Sequence, residues 1–145
     1  MPKLERTALL TYSAEELYQL VGDVEAYPQF LPGCVSARVE HTEALLVRAR
    51  LGFKVKGLTD SFATENRMEQ GRRIQMNLLE GPFRQLSGVW EFHPLTERAC
   101  KVTLRISLEF GSRMLESTLT PLIDRAVGNL IDAFRQRAES VYGKA

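Results

Sequence analysis

The chain lacks most of what membrane proteins, metalloproteins and disulfide-rich proteins require. No apolar run among its 145 residues reaches the roughly 18 residues of a membrane-spanning helix, so we expect none. There are only two histidines and two cysteines, and Cys34 and Cys100 are too far apart to form a metal or redox motif. We therefore expect two reduced, largely buried thiols and no metal site.

An excess of charge of one sign is also absent. The 19 lysines and arginines nearly balance the 18 aspartates and glutamates, so no strong overall field attracts DNA. The first ten residues, MPKLERTALL, carry charges where a signal peptide needs an apolar centre. We expect one cytoplasmic domain over residues 1–145, with at most transient membrane contact.

The amino-terminal segment predicts a strand followed by two short helices. Residues 3–10 form the expected strand. Ser13 then opens the sequence S-A-E-E, a capping box with Glu16 that predicts a helix ending near Gly22. Asp23 is expected to cap a further short turn, which Pro28 stops.

Between Gly33 and Phe110 apolar residues recur at every second position. This alternation predicts about six antiparallel strands, each with one buried and one exposed face. Gly52 and Gly57 fall within strand-like sequence, where we expect bulges or a sharp bend. Turn-forming residues interrupt the alternation at His41–Glu43, Glu69–Arg72, Glu80–Pro82 and Pro94–Arg98.

After Gly111 the apolar period changes to three or four residues, which predicts one long amphipathic helix over residues 113–141, kinked at Pro121. Strands segregated from helices indicate an α+β domain. The expected arrangement is a helix grip: a curved antiparallel sheet of six to seven strands wrapped around the carboxy-terminal helix. A curved sheet and a straight helix differ in shape, so an apolar cavity is expected between them.

The segment VEAYPQFLPGC, residues 24–34, places large apolar side chains between two prolines. We expect this rigid loop to cover either the protein's own core or an apolar ligand. In the second case the loop, the sheet and the helix each line the cavity. The candidate ligand-binding residues are Tyr27, Phe30 and Leu31 in the loop, Trp90, Phe92, Leu104 and Ile106 in the sheet, and Val127, Leu130, Ile131 and Phe134 in the helix. The alternative is that these side chains simply pack against one another.

Three segments carry a family resemblance. Residues 24–34, GPFRQLSGVWEF at 81–92 and AFRQRAESVYG at 133–143 resemble the coenzyme Q-binding protein and ribosome association toxin (RatA) family of the START-like superfamily. The resemblance implies a helix-grip fold and either of two functions. One is binding of ubiquinone or a related lipid in support of respiration, with no further cofactor. The other is binding to the large ribosomal subunit, which blocks its joining to the small subunit.

The superfamily also includes polyketide cyclases, but an enzyme is the weakest hypothesis. His41 and His93 have no partners at a spacing typical of a catalytic triad. The ribosome hypothesis needs a basic surface, and Arg48, Arg50, Lys54 and Lys56 would provide it if they share the convex face of the sheet. An ordinary solvated strand face is the alternative. The sequence therefore predicts a non-enzymatic protein that binds a hydrophobic ligand, with ribosome association as the second hypothesis.

Overall fold

A single antiparallel sheet of seven strands wraps around a long helix in the computed structural model, which describes residues 3–55 and 57–143. The strand order is β1-β7-β6-β5-β4-β3-β2, so β2 to β7 form a meander and β1 pairs with β7. The predicted α+β helix-grip class is confirmed. The elements are β1 (Lys3–Leu10), α1 (Ala14–Gly22), a 3-10 helix (Val24–Gln29), β2 (Cys34–Glu43), β3 (Leu46–Val55), β4 (Leu58–Glu69), β5 (Arg73–Glu80), β6 (Gln85–Thr96), β7 (Ala99–Glu109) and α2 (Arg113–Tyr142).

The predicted capping box fixes the start of α1. The Glu16 backbone N–H donates to the Ser13 hydroxyl at 3.1 Å, and the Ser13 N–H donates to the Glu16 carboxylate at 3.0 Å. The 3-10 helix that follows contains Pro28 and ends one residue later, and its first residue receives no side-chain cap from Asp23. A short 3-10 helix uses few N–H donors, so the proline does not stop it where we predicted.

Two predicted turns begin too early. β2 continues through His41–Glu43, and the chain reverses at Ala44 and Leu45, where Ala44 has a φ of 48°. β6 continues past Pro94 to Thr96, with a register shift at that point that accommodates the proline, and the chain turns at Glu97 and Arg98, within the predicted range. Polar composition does not show where a strand ends, because a polar segment can still pair with a neighbouring strand.

Gly52 lies beside an irregularity of the kind predicted, whereas Gly57 lies in a turn between strands. Gly57 lies in the β3–β4 turn with a φ of 82°, a conformation that glycine adopts readily. The irregularity near Gly52 is on the partner strand β2, between Cys34 and Ser36. A Cβ at Gly52 would lie 2.2 Å from the Ser36 hydroxyl, so the glycine allows β2 to approach β3 closely.

Helix α2 is buried along only part of its length. It is one helix with Pro121 inside it, and its buried residues all lie in its second half: Val127, Ile131, Phe134 and Ala138. Every residue from 113 to 126 is exposed or half-buried. Within the described part of the chain, neither α1 nor α2 is both long and apolar enough to cross a bilayer. The second half of α2 is therefore packed against the rest of the protein, whereas its first half leaves its apolar side chains partly exposed.

Candidate functional site

The residues predicted to form the lid meet the second half of α2 in an aromatic cluster. The Phe134 ring lies 5.5 Å from Tyr27, 5.2 Å from Phe30 and 5.3 Å from Trp90, each in an edge-to-face arrangement. The Tyr27 hydroxyl donates to the Val21 carbonyl, and burial raises the pKa of Tyr27 far above its usual value. We call Tyr27, Phe30, Trp90 and Phe134 the packed end of the grip.

The other predicted lining residues surround this cluster. Leu104 has no exposed surface and Phe92 stacks on Trp90, with ring centroids 6.2 Å apart. Ile106 and Leu130 are half-buried and lie further along the sheet and the helix. The remaining buried members are Leu31, Val127 and Ile131. The structure brings the predicted residues together, mostly as tightly packed side chains, and their assignment to a ligand stays a prediction.

The first half of α2 and the concave face of the sheet carry apolar side chains that are only half-buried, and we call the region between them the hollow. At the packed end, Tyr27, Trp90 and Phe134 are buried and Phe30 is half-buried. Sequence analysis did not place the cavity here. The sheet wall consists of Leu51, Phe53, Phe62, Met76, Leu78 and Leu86, and the helix wall of Leu119, Leu122 and Ile123.

An open cleft of about 750 Å³ lies beside the hollow, at the amino terminus of α2. Its lining includes Phe110, Glu116 and Thr120. A row of aromatic rings leads from the cleft into the hollow: Phe110 to Phe83 at 5.4 Å, Phe83 to Phe62 at 6.0 Å and Phe62 to Phe53 at 5.9 Å. Sequence analysis missed Phe62 and Phe83. Phe62 lies in a strand and Phe83 in a turn, and no local signal in the sequence places either of them beside α2.

The sheet wall also carries two buried polar residues, Thr64 and Asn66. The Thr64 hydroxyl donates to the Asn66 side-chain oxygen at 2.8 Å. Sequence analysis missed this pair as well, because a threonine and an asparagine two positions apart in a strand are indistinguishable from residues on an exposed face.

Two of the predicted basic residues, Arg48 and Arg50, share the convex face, but acidic residues accompany them there. Arg48 lies 3.1 Å from Glu65, while Arg50 lies 3.3 Å from Glu40 and 3.0 Å from Glu80. The hydrogen bond from Arg38 and the neighbouring Arg50 lower the pKa of Glu40. This face is a set of exposed ion pairs, a pattern that contributes little net positive charge.

Two further residues were predicted for that surface. Lys54 is exposed on β3, and Lys56 lies outside the described residues. The assignment of Arg48, Arg50, Lys54 and Lys56 to RNA contact stays a prediction.

A smaller recess of about 270 Å³ lies on the outer face of the sheet, and its lining includes Glu5, Ser87 and Arg105. Arg105 forms ion pairs with Glu5 at 2.8 Å and with Glu91. Because the arginine is already paired, this recess offers an anionic ligand little attraction.

The histidines lie on the surface. His41 is 3.5 Å from Glu43 at an exposed position, and His93 is exposed near the end of β6. Over residues 3–55 and 57–143, no three His, Cys, Asp or Glu side chains gather as metal ligands would. Burial raises the pKa of the Cys100 thiol to about 11, so this thiol is neutral and unreactive at physiological pH.

Comparison with known families agrees with this architecture. The profile described as polyketide cyclase / dehydrase and lipid transport matches residues 10–135. The chain belongs to this family. Among its members, the ribosome association toxin RatA of Pseudomonas aeruginosa is 42% identical over 140 residues, covering 97% of both chains. RatA of Escherichia coli is 39% identical over 142 residues, covering 98% of this chain and 90% of the relative.

A more distant member is the mitochondrial coenzyme Q-binding protein COQ10 homolog B of Xenopus laevis. It is 26% identical over 140 residues, which are 94% of this chain and 57% of that protein. The resemblance to the RatA and coenzyme Q-binding group is confirmed.

Solved structures of other proteins share the fold. The Zhui aromatase/cyclase of a Streptomyces species superposes with a TM-score of 0.88 at 17% identity, covering 95% of this chain and 93% of that one. An 18 kDa protein of Caulobacter crescentus superposes with a TM-score of 0.80 at 34% identity, covering 99% and 100%. At 17% identity, the similarity to the cyclase is evidence only that this chain has the same fold.

Proposed function

We propose that this chain is a non-enzymatic binding protein that holds an apolar ligand, such as a quinone or a related lipid, in the hollow beneath the first half of α2. The observation that carries the proposal is the half-buried apolar side chains on both walls, of which Phe62, Leu78 and Leu122 are examples. In a folded protein, facing apolar walls that do not close on each other provide a site for an apolar guest. The kinship with a coenzyme Q-binding protein supports this class of ligand.

The hydrophobic effect supplies the main attraction for such a ligand. Burying roughly 300 Å² of an isoprenoid or acyl chain contributes about 7–8 kcal/mol before the cost of association is subtracted. This gross gain approaches the roughly 8 kcal/mol of a micromolar complex, so a longer chain or a polar contact must offset the cost of association, and a charged partner on the protein is not required.

The decisive experiment compares two adjacent leucines on opposite faces of β5. Leu78 is half-buried on the concave face, opposite Thr64, whereas Leu79 is exposed. Diphenylhexatriene, a hydrocarbon that fluoresces in apolar surroundings, serves as the probe. We expect Leu78→Glu to weaken its binding more than tenfold, because a carboxylate in the wall must be desolvated when the probe enters.

The matched control is Leu79→Glu, which adds the same charge outside the hollow and should leave probe binding unchanged. Equal losses in both variants, or an unmodified protein that does not bind the probe, would remove the proposal. Mass spectrometry of an organic extract of the purified protein then identifies the natural ligand.

A second candidate function is association with the large ribosomal subunit. It is supported by the relatives named ribosome association toxin, which match this chain over nearly its full length at 39% and 42% identity. On sucrose gradients after overexpression, this function predicts more separate subunits and fewer assembled ribosomes. Unchanged profiles would eliminate it. Leu78→Glu separates the two functions, because it alters the hollow and leaves the outer surface intact. It should weaken probe binding without changing the effect of overexpression on the ribosome profile.

A further inference from the structure

Two buried polar side chains, Thr64 and Asn66, face the hollow from the sheet wall. They are 5% and 6% exposed. Glu65, between them in β4, forms its ion pair with Arg48 on the convex face. Because successive strand residues point to opposite faces, Thr64 and Asn66 point into the concave face.

Their neighbours across the sheet are apolar. Thr64 lies opposite Ala49 on β3 and Leu78 on β5, and Asn66 lies opposite Val47 and Met76. Burying a polar side chain in such surroundings lowers the stability of the fold unless its hydrogen-bonding groups have partners.

The hydrogen-bonding capacity of Asn66 is only partly used. The Thr64 hydroxyl donates to its oxygen at 2.8 Å, which leaves the two N–H donors of the amide. Among the described residues, the structure records no acceptor for these donors, and the one enclosed side-chain polar atom without a partner is the hydroxyl oxygen of Thr120. The Asn66 nitrogen is therefore not among the enclosed atoms, and from the alternation of β4 we infer that it faces the concave side.

Thr120 is a second polar residue, on α2, and it lines the cleft beside the hollow. Its hydroxyl oxygen is enclosed, so the amide of Asn66 is the group left to meet a ligand. A free amide donor in an apolar wall favours a ligand that carries a hydrogen-bond acceptor.

We propose that Asn66 is a specificity-determining residue, whose amide N–H donates a hydrogen bond to a neutral carbonyl oxygen of an apolar ligand, and that Thr64 positions this amide. The inference rests on the proposed function and narrows its ligand class to carbonyl-bearing molecules such as quinones and esters. A neutral carbonyl fits Asn66 better than a carboxylate, because the walls defined above consist of apolar residues that would not compensate a buried negative charge.

The test measures two probes on the same variants. Decyl-substituted benzoquinone carries carbonyl oxygens, and diphenylhexatriene carries no hydrogen-bond acceptor. We expect Asn66→Leu to weaken quinone binding roughly five- to tenfold, the loss typical of one neutral hydrogen bond, and to leave hydrocarbon binding unchanged.

The double variant Thr64→Val with Asn66→Leu removes both members of the pair, so no unpaired hydroxyl remains, and it should give the same selective loss in a stably folded protein. Asn77→Leu is the matched control, because Asn77 is exposed on the neighbouring strand. Binding of a long-chain ester is measured on the same variants. The ligand class whose probe binds more tightly and loses more affinity in Asn66→Leu is the one that the site prefers.

The outcomes separate this inference from the proposed function. Hydrocarbon binding together with a quinone affinity that Asn66→Leu does not change would overturn the role of Asn66 and leave the hollow as a site. Equal weakening of both probes would also overturn it, since that result indicates a change in shape. Failure of the unmodified protein to bind either probe would remove both proposals.

Discussion

Phe134 allows the stability of the packed end to be predicted in some detail. Its side chain is 2% exposed and meets the rings of Tyr27, Phe30 and Trp90 at centroid distances between 5.2 and 5.5 Å. Truncating a buried phenylalanine to alanine typically costs about 3–5 kcal/mol. Each edge-to-face pair contributes roughly 0.5–1.5 kcal/mol to such a loss beyond the area buried. The three pairs therefore place Phe134→Ala in the upper half of this range, and we expect it to lower the free energy of unfolding by about 4–5 kcal/mol.

Urea denaturation followed by the fluorescence of Trp90 measures this loss. Phe134→Leu is the matched control, since it keeps most of the apolar volume and loses the ring contacts, and we expect it to cost about 2 kcal/mol. A loss below about 2 kcal/mol for Phe134→Ala would refute the reasoning, because it would mean that the cluster is loosely packed. In addition, Phe134→Ala protein that is still folded should bind the hydrocarbon probe as the unmodified protein does.

Three further predictions concern the rest of the fold. Ser13→Ala should lower the free energy of unfolding by about 1 kcal/mol in urea, because it removes the hydroxyl that accepts a hydrogen bond from the Glu16 backbone N–H; an unchanged midpoint would contradict this. Gly88→Ala should cost about 1–2 kcal/mol, since its Cβ would lie 2.8 Å from the Met76 methyl group, and Met76→Ala in the same chain should recover part of the loss. For Cys100, burial raises the thiol pKa from 9.0 to about 11, so the unfolded chain ionises first and stability falls as the pH rises from 9 to 11. The difference in unfolding free energy between the unmodified protein and Cys100→Ala should shrink by about 2 kcal/mol over that range, and a constant difference would contradict the assignment.

Local signals in the sequence were sufficient for most of the secondary structure. Ser13 and Glu16 form the predicted capping box, and the alternation from Gly33 to Phe110 corresponds to strands β2 to β7. Each of these patterns depends on residues close together in sequence. The misplaced turn at His41–Glu43 shows the limit of such signals, because whether a polar segment turns or stays extended depends on the strand beside it.

The convex face illustrates a second limit. Arg48 and Arg50 alternate along β3, and their shared face could be predicted from that spacing. Their partners Glu65 and Glu80 come from other strands, at positions fixed by the register of the whole sheet. A count of charges along one strand therefore overstated how basic the surface is.

The location of the open space depends on the least local property of all, the fit between the sheet and α2. The apolar stripe of α2 continues from Leu115 to Val141, so its periodicity gives no sign that its buried residues begin only at Val127. Tyr27 and Phe30, in the segment with two prolines, contact Phe134 in the second half of this helix. Because the burial of α2 begins only at Val127, packing constrains the side chains of its first half less. The packed end can therefore supply the stability of the fold while the residues of the hollow remain available to bind a ligand.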